Sequence, residues 1–252
     1  MKKPFRVVLL AYPDNPVGGV FLEVFRRKHI PLAGVVVETK GVGRNWKRLR
    51  KKIEKDGVFT AIRRTMRVVW LKVIRRNVVF LARRQGIPVH WVDRFNSPEC
   101  ESLLASMDVD LLAIASAPIL KPEIFRRARI GCLNAHPGWL PQYRGIGANA
   151  YALRNGDVPG ITVHFIDPGI DTGSLIVRER LAVLPRDSVA AINDRAQARG
   201  AELMADVIQR IQDGELVMPS INEPVGEQYR AMPYAEVKRI NKRIRRGEFH
   251  EI

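Results

Sequence analysis

Three side chains able to act together on a carbonyl group fall within one forty-residue stretch of this sequence: Asn134, His136 and Asp171. Asn134 and His136 are two positions apart, so on a strand over Ile130–His136 they share a face, with small Ala135 on the other. Pro137 cannot donate to a sheet ladder, which ends the strand there and leaves both side chains at its carboxyl end. Asp171 lies in the turn Pro168-Gly169-Ile170-Asp171-Thr172-Gly173, directly after the apolar run Ile161–Ile166. In open α/β sheets such strand ends are where ligands bind. Transfer of an acyl-type group to an amine passes through a tetrahedral oxyanion. Asn134 is able to donate an amide N–H to that oxygen, and protonated His136 is a second donor. A buried carboxylate at Asp171 would favour the charged form of His136 and take up the proton that the amine sheds, directly or through a water. His164 alternates with Val163 and Phe165 and reads better as a hydrogen-bonded supporting residue. No histidine or cysteine spacing suits a metal, and no Ser or Cys stands in a nucleophile elbow.

Positioning those groups calls for a sheet. Arg6–Tyr12 is a continuous apolar run of the kind buried on both faces, and Leu32–Val37, Val89–Val92 and Leu111–Ala115 follow as further strands. Helices are expected from Gly18 to Lys28, from a Ser97 cap to about Met107, over Pro122–Ala128 and over Ala148–Asn155. Ile161–Ile166 and Ser174–Arg180 read as two strands joined by the Asp171 turn, and Asp187-Ser188 caps a long helix to about Gln212. Strands alternating with helices at this spacing predict an α/β, Rossmann-like, mostly parallel sheet with helices on both faces. Residues 1–213 form the expected catalytic domain. The Pro-rich, then basic 214–252 is an extension packed on that core or on a second subunit, which leaves a homodimer open.

The composition narrows the setting. Two cysteines, Cys100 and Cys132, without CxxC spacing fit a reducing, cytoplasmic location, with Cys132 a small buried hydrophobe. Lys2-Lys3 followed by Val7–Ala11 is too short an apolar core for a signal peptide, and no run approaches the ~18 apolar residues of a membrane span. The formal charge is +16, and residues 44–84 hold fifteen Lys or Arg against Glu54 and Asp56, a net +13. There Phe59, Ile62, Met66, Val69, Trp70, Val73 and Phe80 recur at three- and four-residue steps among arginines, which predicts a basic amphipathic helical insertion. Three roles stay open for it: a solvated face on its own protein, a surface for an anionic membrane at the inner leaflet, or RNA binding. The last is weakened because no aromatics are interleaved as stacking platforms.

The runs Asn134-Ala-His136-Pro-Gly-Trp-Leu-Pro-Gln-Tyr-Arg-Gly145 and Gly160-Ile-Thr-Val-His164-Phe to Asp171-Thr-Gly173 resemble the folate-dependent formyltransferases. The resemblance covers roughly Val7–Gln212 outside the basic segment. It implies 10-formyltetrahydrofolate as formyl donor, no metal, and Asn134, His136 and Asp171 as the catalytic set. It also places Ala117, Pro118, Ile119 and Leu120 where the family cradles the pterin. Phe165, Ile166 and Asp167 correspond to the second wall of that pocket, within Phe165–Ile170. Arg144, Gly145, Asn149 and Tyr151 correspond to the substrate-side loop.

Departures from the family point to the acceptor. The place of the phosphate loop of glycinamide ribonucleotide enzymes holds Tyr12-Pro-Asp-Asn-Pro-Val-Gly-Gly19, which lacks the pattern. Methionyl-tRNA enzymes carry a C-terminal barrel of about a hundred residues, against about forty here after the last long helix. The closest layout is that of short sugar N-formyltransferases. The expectation is formylation of a primary amine on an amino sugar carried by a nucleotide or a lipid. The alternatives are methionyl-tRNA or glycinamide ribonucleotide formylation, or a nucleic-acid-binding module on an inactive fold.

Overall fold

The computed structural model describes residues 4–39, 77–215 and 223–249. The expected basic helix therefore lies outside the described residues except for 77–84. The chain divides into two compact units, residues 1–131 and 132–252. The strands make the Rossmann-like, mostly parallel α/β arrangement expected: Val89–Val92, Leu32–Glu38, Val7–Ala11 and Leu111–Ile114 stand side by side in the first unit, and Gly131–His136, Gly160–Phe165 and Leu175–Arg180 in the second, where Tyr143–Gly145 and Glu227–Tyr229 pair in a small separate sheet.

In the first unit, β1 (Val7–Ala11) is buried along its whole length, as its unbroken apolar run requires of a central strand. It pairs in parallel with β2 (Leu32–Glu38) and β4 (Leu111–Ile114), and β2 pairs in parallel with β3 (Val89–Val92). Helix α1 (Pro16–Arg27) starts two residues earlier than its Gly pair suggested, because Pro16 fits the first turn and the Asn15 side chain accepts from the Val17 N–H. Gly18 lets α1 lie close to its neighbours: a Cβ there would stand 3.0 Å from the Cβ atoms of Ala11 and Val78. Asn77 caps α2 (Val78–Arg84), and Ser97 caps α3 (Pro98–Ser106). Helix α4 (Pro122–Phe125) stops three residues short of the expected Ala128.

The second unit opens on β5 (Gly131–His136), followed by the three-residue β6 (Tyr143–Gly145), α5 (Ala148–Arg154), β7 (Gly160–Phe165) and β8 (Leu175–Arg180). Strand β7 is antiparallel to both β5 and β8. Helix α6 (Val189–Gln212) begins at the expected Ser188 cap, whose hydroxyl accepts from the Ala191 N–H. It comes close to β5 and β7 through Gly200, where a Cβ would stand 2.9 Å from both Ala135 and Ile161. The tail is more ordered than its composition suggests, with β9 (Glu227–Tyr229) and α7 (Tyr234–Arg245). Ile240, Ile244 and Phe249 pack with Ala150, Leu153, Val183, Val189 and Ile192, so this part of the tail lies on the unit's own core. Asn241 of α7 accepts from the Val189 N–H and so completes the cap of α6.

Candidate active site

The antiparallel register of β5 and β7 builds the site. It sets Asn134 opposite His164 and His136 opposite Thr162, so four polar side chains share one face. Leu133, Ala135 and Val163 take the other face, where α6 packs. Strand β5 ends at His136, as Pro137 demands, with Asn134 and His136 at its carboxyl end. Gly138 N–H donates back to the His136 carbonyl at 2.8 Å, making a tight reversal. Thr162 pins that reversal by donating to the Gly138 carbonyl at 2.8 Å and accepting from the Leu140 N–H at 3.1 Å.

Asp171 stands on the turn between β7 and β8, in the left-handed region at φ 53°, which Asp tolerates better than most residues. Asp167 closes this turn, accepting from the Gly169 N–H at 3.0 Å and the Thr172 hydroxyl at 2.7 Å. One oxygen of Asp171, Oδ2, lies 3.4 Å from His136 Nδ1, and Oδ1 lies 3.7 Å from His164 Nε2. The sequence-predicted trio is thus brought together, with His164 among them. Asn134 meets the group through His164: their Nδ2 and Nε2 atoms are 3.2 Å apart.

Hydrogen-bond partners assign the ring protons. His164 Nδ1 is 2.8 Å from the Phe165 carbonyl, which only accepts, so Nδ1 carries the hydrogen. Its Nε2 then accepts from the Asn134 amide, which fixes that amide with Nδ2 toward the ring and its second N–H unused by this contact. Burial holds His164 below the ordinary imidazole value, down to about 4, and the neighbouring His136 pushes the same way. His136 is also buried, and its Nε2 donates to the Tyr143 carbonyl at 2.9 Å. The ring therefore has one edge on a backbone carbonyl and the other toward the carboxylate, a contact that becomes an ion pair when the ring is protonated.

Two of these partners were missed in the sequence: the Tyr143 carbonyl on His136, and the Gly145 N–H, which donates to Asp171 Oδ2 at 2.8 Å. Backbone groups leave no signature in residue type. The pairing of Asn134 with His164 had a readable signal, since Thr162 and His164 alternate at the same period of two as Asn134 and His136.

The remaining expected site residues separate by environment. Asn149 is fully buried, its Oδ1 accepting from the Gly160 N–H and its amide donating to Asn193. Arg144 donates to the carbonyls of Gly226 and Ile170. Tyr151 stacks on Tyr229 at 4.1 Å between centroids, with the Arg154 guanidinium over its own ring. Phe165 and Ile166 are half-buried, with their N–H groups on the carbonyls of Ser174 and Cys132. Cys132 itself is buried, and burial pushes its thiol up. In the first unit, the stretch Ala117–Leu120 follows β4, with Pro118 exposed, Ile119 67% exposed and Leu120 buried. Asn96 clamps it, donating to the Ile119 carbonyl and accepting from the Lys121 N–H.

The family model described as "Formyl transferase" matches residues 75–208, just over half of the chain. A methionyl-tRNA formyltransferase of Chlorobium chlorochromatii is 32% identical over 127 residues, covering 50% of this chain and 40% of that protein. The chain spans less than half the length of the curated relatives it matches. Among solved structures, glycinamide ribonucleotide transformylase 1 from Symbiobacterium toebii superposes with a TM-score of 0.63 at 21% identity, covering 90% of this chain and 96% of that one. A sugar N-formyltransferase from Shewanella sp. FDAARGOS_354 gives 0.59 at 14% identity, covering 89% and 76%. These last two likenesses concern the fold.

Proposed function

Because the chain belongs to the formyl transferase family, we propose that it is an enzyme transferring a formyl group from 10-formyltetrahydrofolate to a primary amine. The observation that carries this reading is the convergence of Asn134, His136 and Asp171 at the ends of β5 and β7. The amine attacks the formyl carbon, and negative charge develops on the formyl oxygen. Asn134 donates its second amide N–H there, held ready by the contact with His164. Protonated His136 stabilises that charge as a neighbouring cation, held with its Nε2–H on the Tyr143 carbonyl and its Nδ1 edge toward Asp171. Asp171 keeps that ring oriented and takes the proton shed by the amine, directly or through a water. Phe165, Ile166 and Asp167 adjoin the catalytic groups in sequence and are assigned to the donor.

For the acceptor, we favour an amino sugar on a nucleotide or lipid carrier, approached from the side of Arg144, Gly145 and Tyr151. The +13 of residues 44–84 suits a phosphate-bearing acceptor or the inner face of an anionic membrane. The sequence relatives favour a second reading, methionyl-tRNA as acceptor.

Mass-spectrometric screening of amine-bearing sugars and of charged initiator tRNA for a folate-dependent formyl gain separates the two. Asn134→Ala, His136→Ala and Asp171→Ala should each lower kcat by about 10²–10³-fold. Undiminished turnover in all three removes the mechanism.

A further inference from the structure

We propose that the tail segment Glu223–Tyr229 is a positioning element of the catalytic site. By pairing with β6 it sets where the Tyr143 carbonyl meets His136 and where the Gly145 N–H meets Asp171. The inference rests on the catalytic reading of those two side chains.

Strand β6 is three residues long, too short to hold its own place. Its alternation sends the backbone groups of Tyr143 and Gly145 to one edge and those of Arg144 and Ile146 to the other. The first edge serves the site: the Tyr143 carbonyl accepts from His136 Nε2, and the Gly145 N–H donates to Asp171 Oδ2. The second edge belongs to the tail. Tyr143, Arg144 and Gly145 pair in parallel with Glu227, Gln228 and Tyr229, and the Ile146 N–H donates to the Tyr229 carbonyl at 3.0 Å. The approach is close enough that a Cβ on Gly145 would stand 2.3 Å from the Tyr229 oxygen.

Three anchors hold the segment there. Glu223 accepts from Gln142 and from Arg178 of β8, which together hold its carboxyl down to about 2. Gly226 donates to the Pro141 carbonyl at 2.9 Å. Arg144 bridges the tail to the catalytic turn, with Nε on the Gly226 carbonyl at 3.1 Å and Nη1 on the Ile170 carbonyl at 3.3 Å, one residue before Asp171. The segment thus reaches His136 and Asp171 through β6 and the Ile170 carbonyl.

The test is Gly226→Ala in the full chain. A Cβ there would stand 2.1 Å from the Gln142 carbonyl oxygen and 2.6 Å from its carbon, both backbone atoms, so β9 must lift away from β6. Besides Tyr143, the groups facing His136 are Asp171 and the His164 ring, centroids 6.5 Å apart. Losing the Tyr143 carbonyl takes away the acceptor of the His136 Nε2–H. The Nε2–H proton resonance, followed by NMR without substrate at one fixed pH, should then move upfield as that hydrogen bond is lost. The turnover rate should fall about tenfold while KM for the donor stays within about twofold. Leu184→Ala, at a side chain 48% exposed and outside the segment, should leave both unchanged. Glu223→Gln, which loosens the segment without inserting an atom, should give a smaller shift of the same sign. A His136 Nε2–H resonance at its wild-type position in both Gly226→Ala and Glu223→Gln overturns the proposal, whatever the loss of Tm. Because that spectrum needs no substrate, a wild-type protein that formylates no amine would remove the activity reading and leave the positioning result standing.

Discussion

Gly138→Ala tests whether the turn after β5 sets the His136 imidazole. The added Cβ would stand 2.6 Å from His136 Nε2, 2.9 Å from its Cδ2 and 2.5 Å from the Ala148 Cβ. Ordinary contact begins near 3.4 Å, so the overlap on the ring is about 0.8 Å and that on Ala148 slightly larger. The Ala148 methyl is bonded to the first residue of α5 and cannot rotate out of the way. The Gly138 backbone is held in turn by the Thr162 hydroxyl and by its own N–H to the His136 carbonyl. The ring is the part that yields, and it leaves the Tyr143 carbonyl. Overpacking of this size costs about 1–3 kcal/mol of stability, and at about 2–4 °C per kcal/mol the melting temperature should drop measurably. Misplacing a reacting group by about 1 Å costs about 10²-fold in rate. The assay is kcat/KM for formyl transfer beside a thermal unfolding curve. A variant with wild-type rate and wild-type Tm would show that the ring has another resting place, and the geometry above would not be the working one.

Two further outcomes concern the fold. His164 lies below its ordinary value of 6.5, at about 4, so the folded chain binds fewer protons there than the unfolded one between those limits. Its contribution is full above about pH 6.5 and is lost as pH falls toward 4. Urea midpoints at pH 7.5 and 4.5 should differ less in His164→Gln than in wild type, and parallel pH profiles would discount the buried neutral ring. Ile244→Ala, at a fully buried position among Leu153, Val189, Ile240 and Phe249, should cost about 2–5 kcal/mol. A urea midpoint within error of wild type would mean that α7 is not part of the cooperative core of the second unit.

The strands and the trio were legible because their signals are local. Val7–Ala11 is a buried run, Pro137 stops a strand, and Ser97 and Ser188 cap helices where they were expected. Strand β6 was not legible: Tyr143-Arg144-Gly145 has no alternation of its own, and its partner lies more than eighty residues along the chain. Helix α7 carries Val237, Ile240 and Ile244 spaced three and four apart, a helical signal diluted by the many Lys and Arg around them. At the site, side-chain types named Asn134, His136 and Asp171, while the Tyr143 carbonyl and the Gly145 N–H came only with the register.

The tail also imposes an order in time. Asn134, His136 and Asp171 have all been synthesised once Asp171 emerges, yet the strand that braces Tyr143 and Gly145 ends fifty-eight residues later, at Tyr229. At ~5–20 residues per second this is a gap of roughly 3–12 s. The Asn241 side chain that completes the cap of α6 comes later still. During that interval a nascent chain carries the trio without its brace, and the second unit reaches its final geometry only after the stretch through Phe249 has docked.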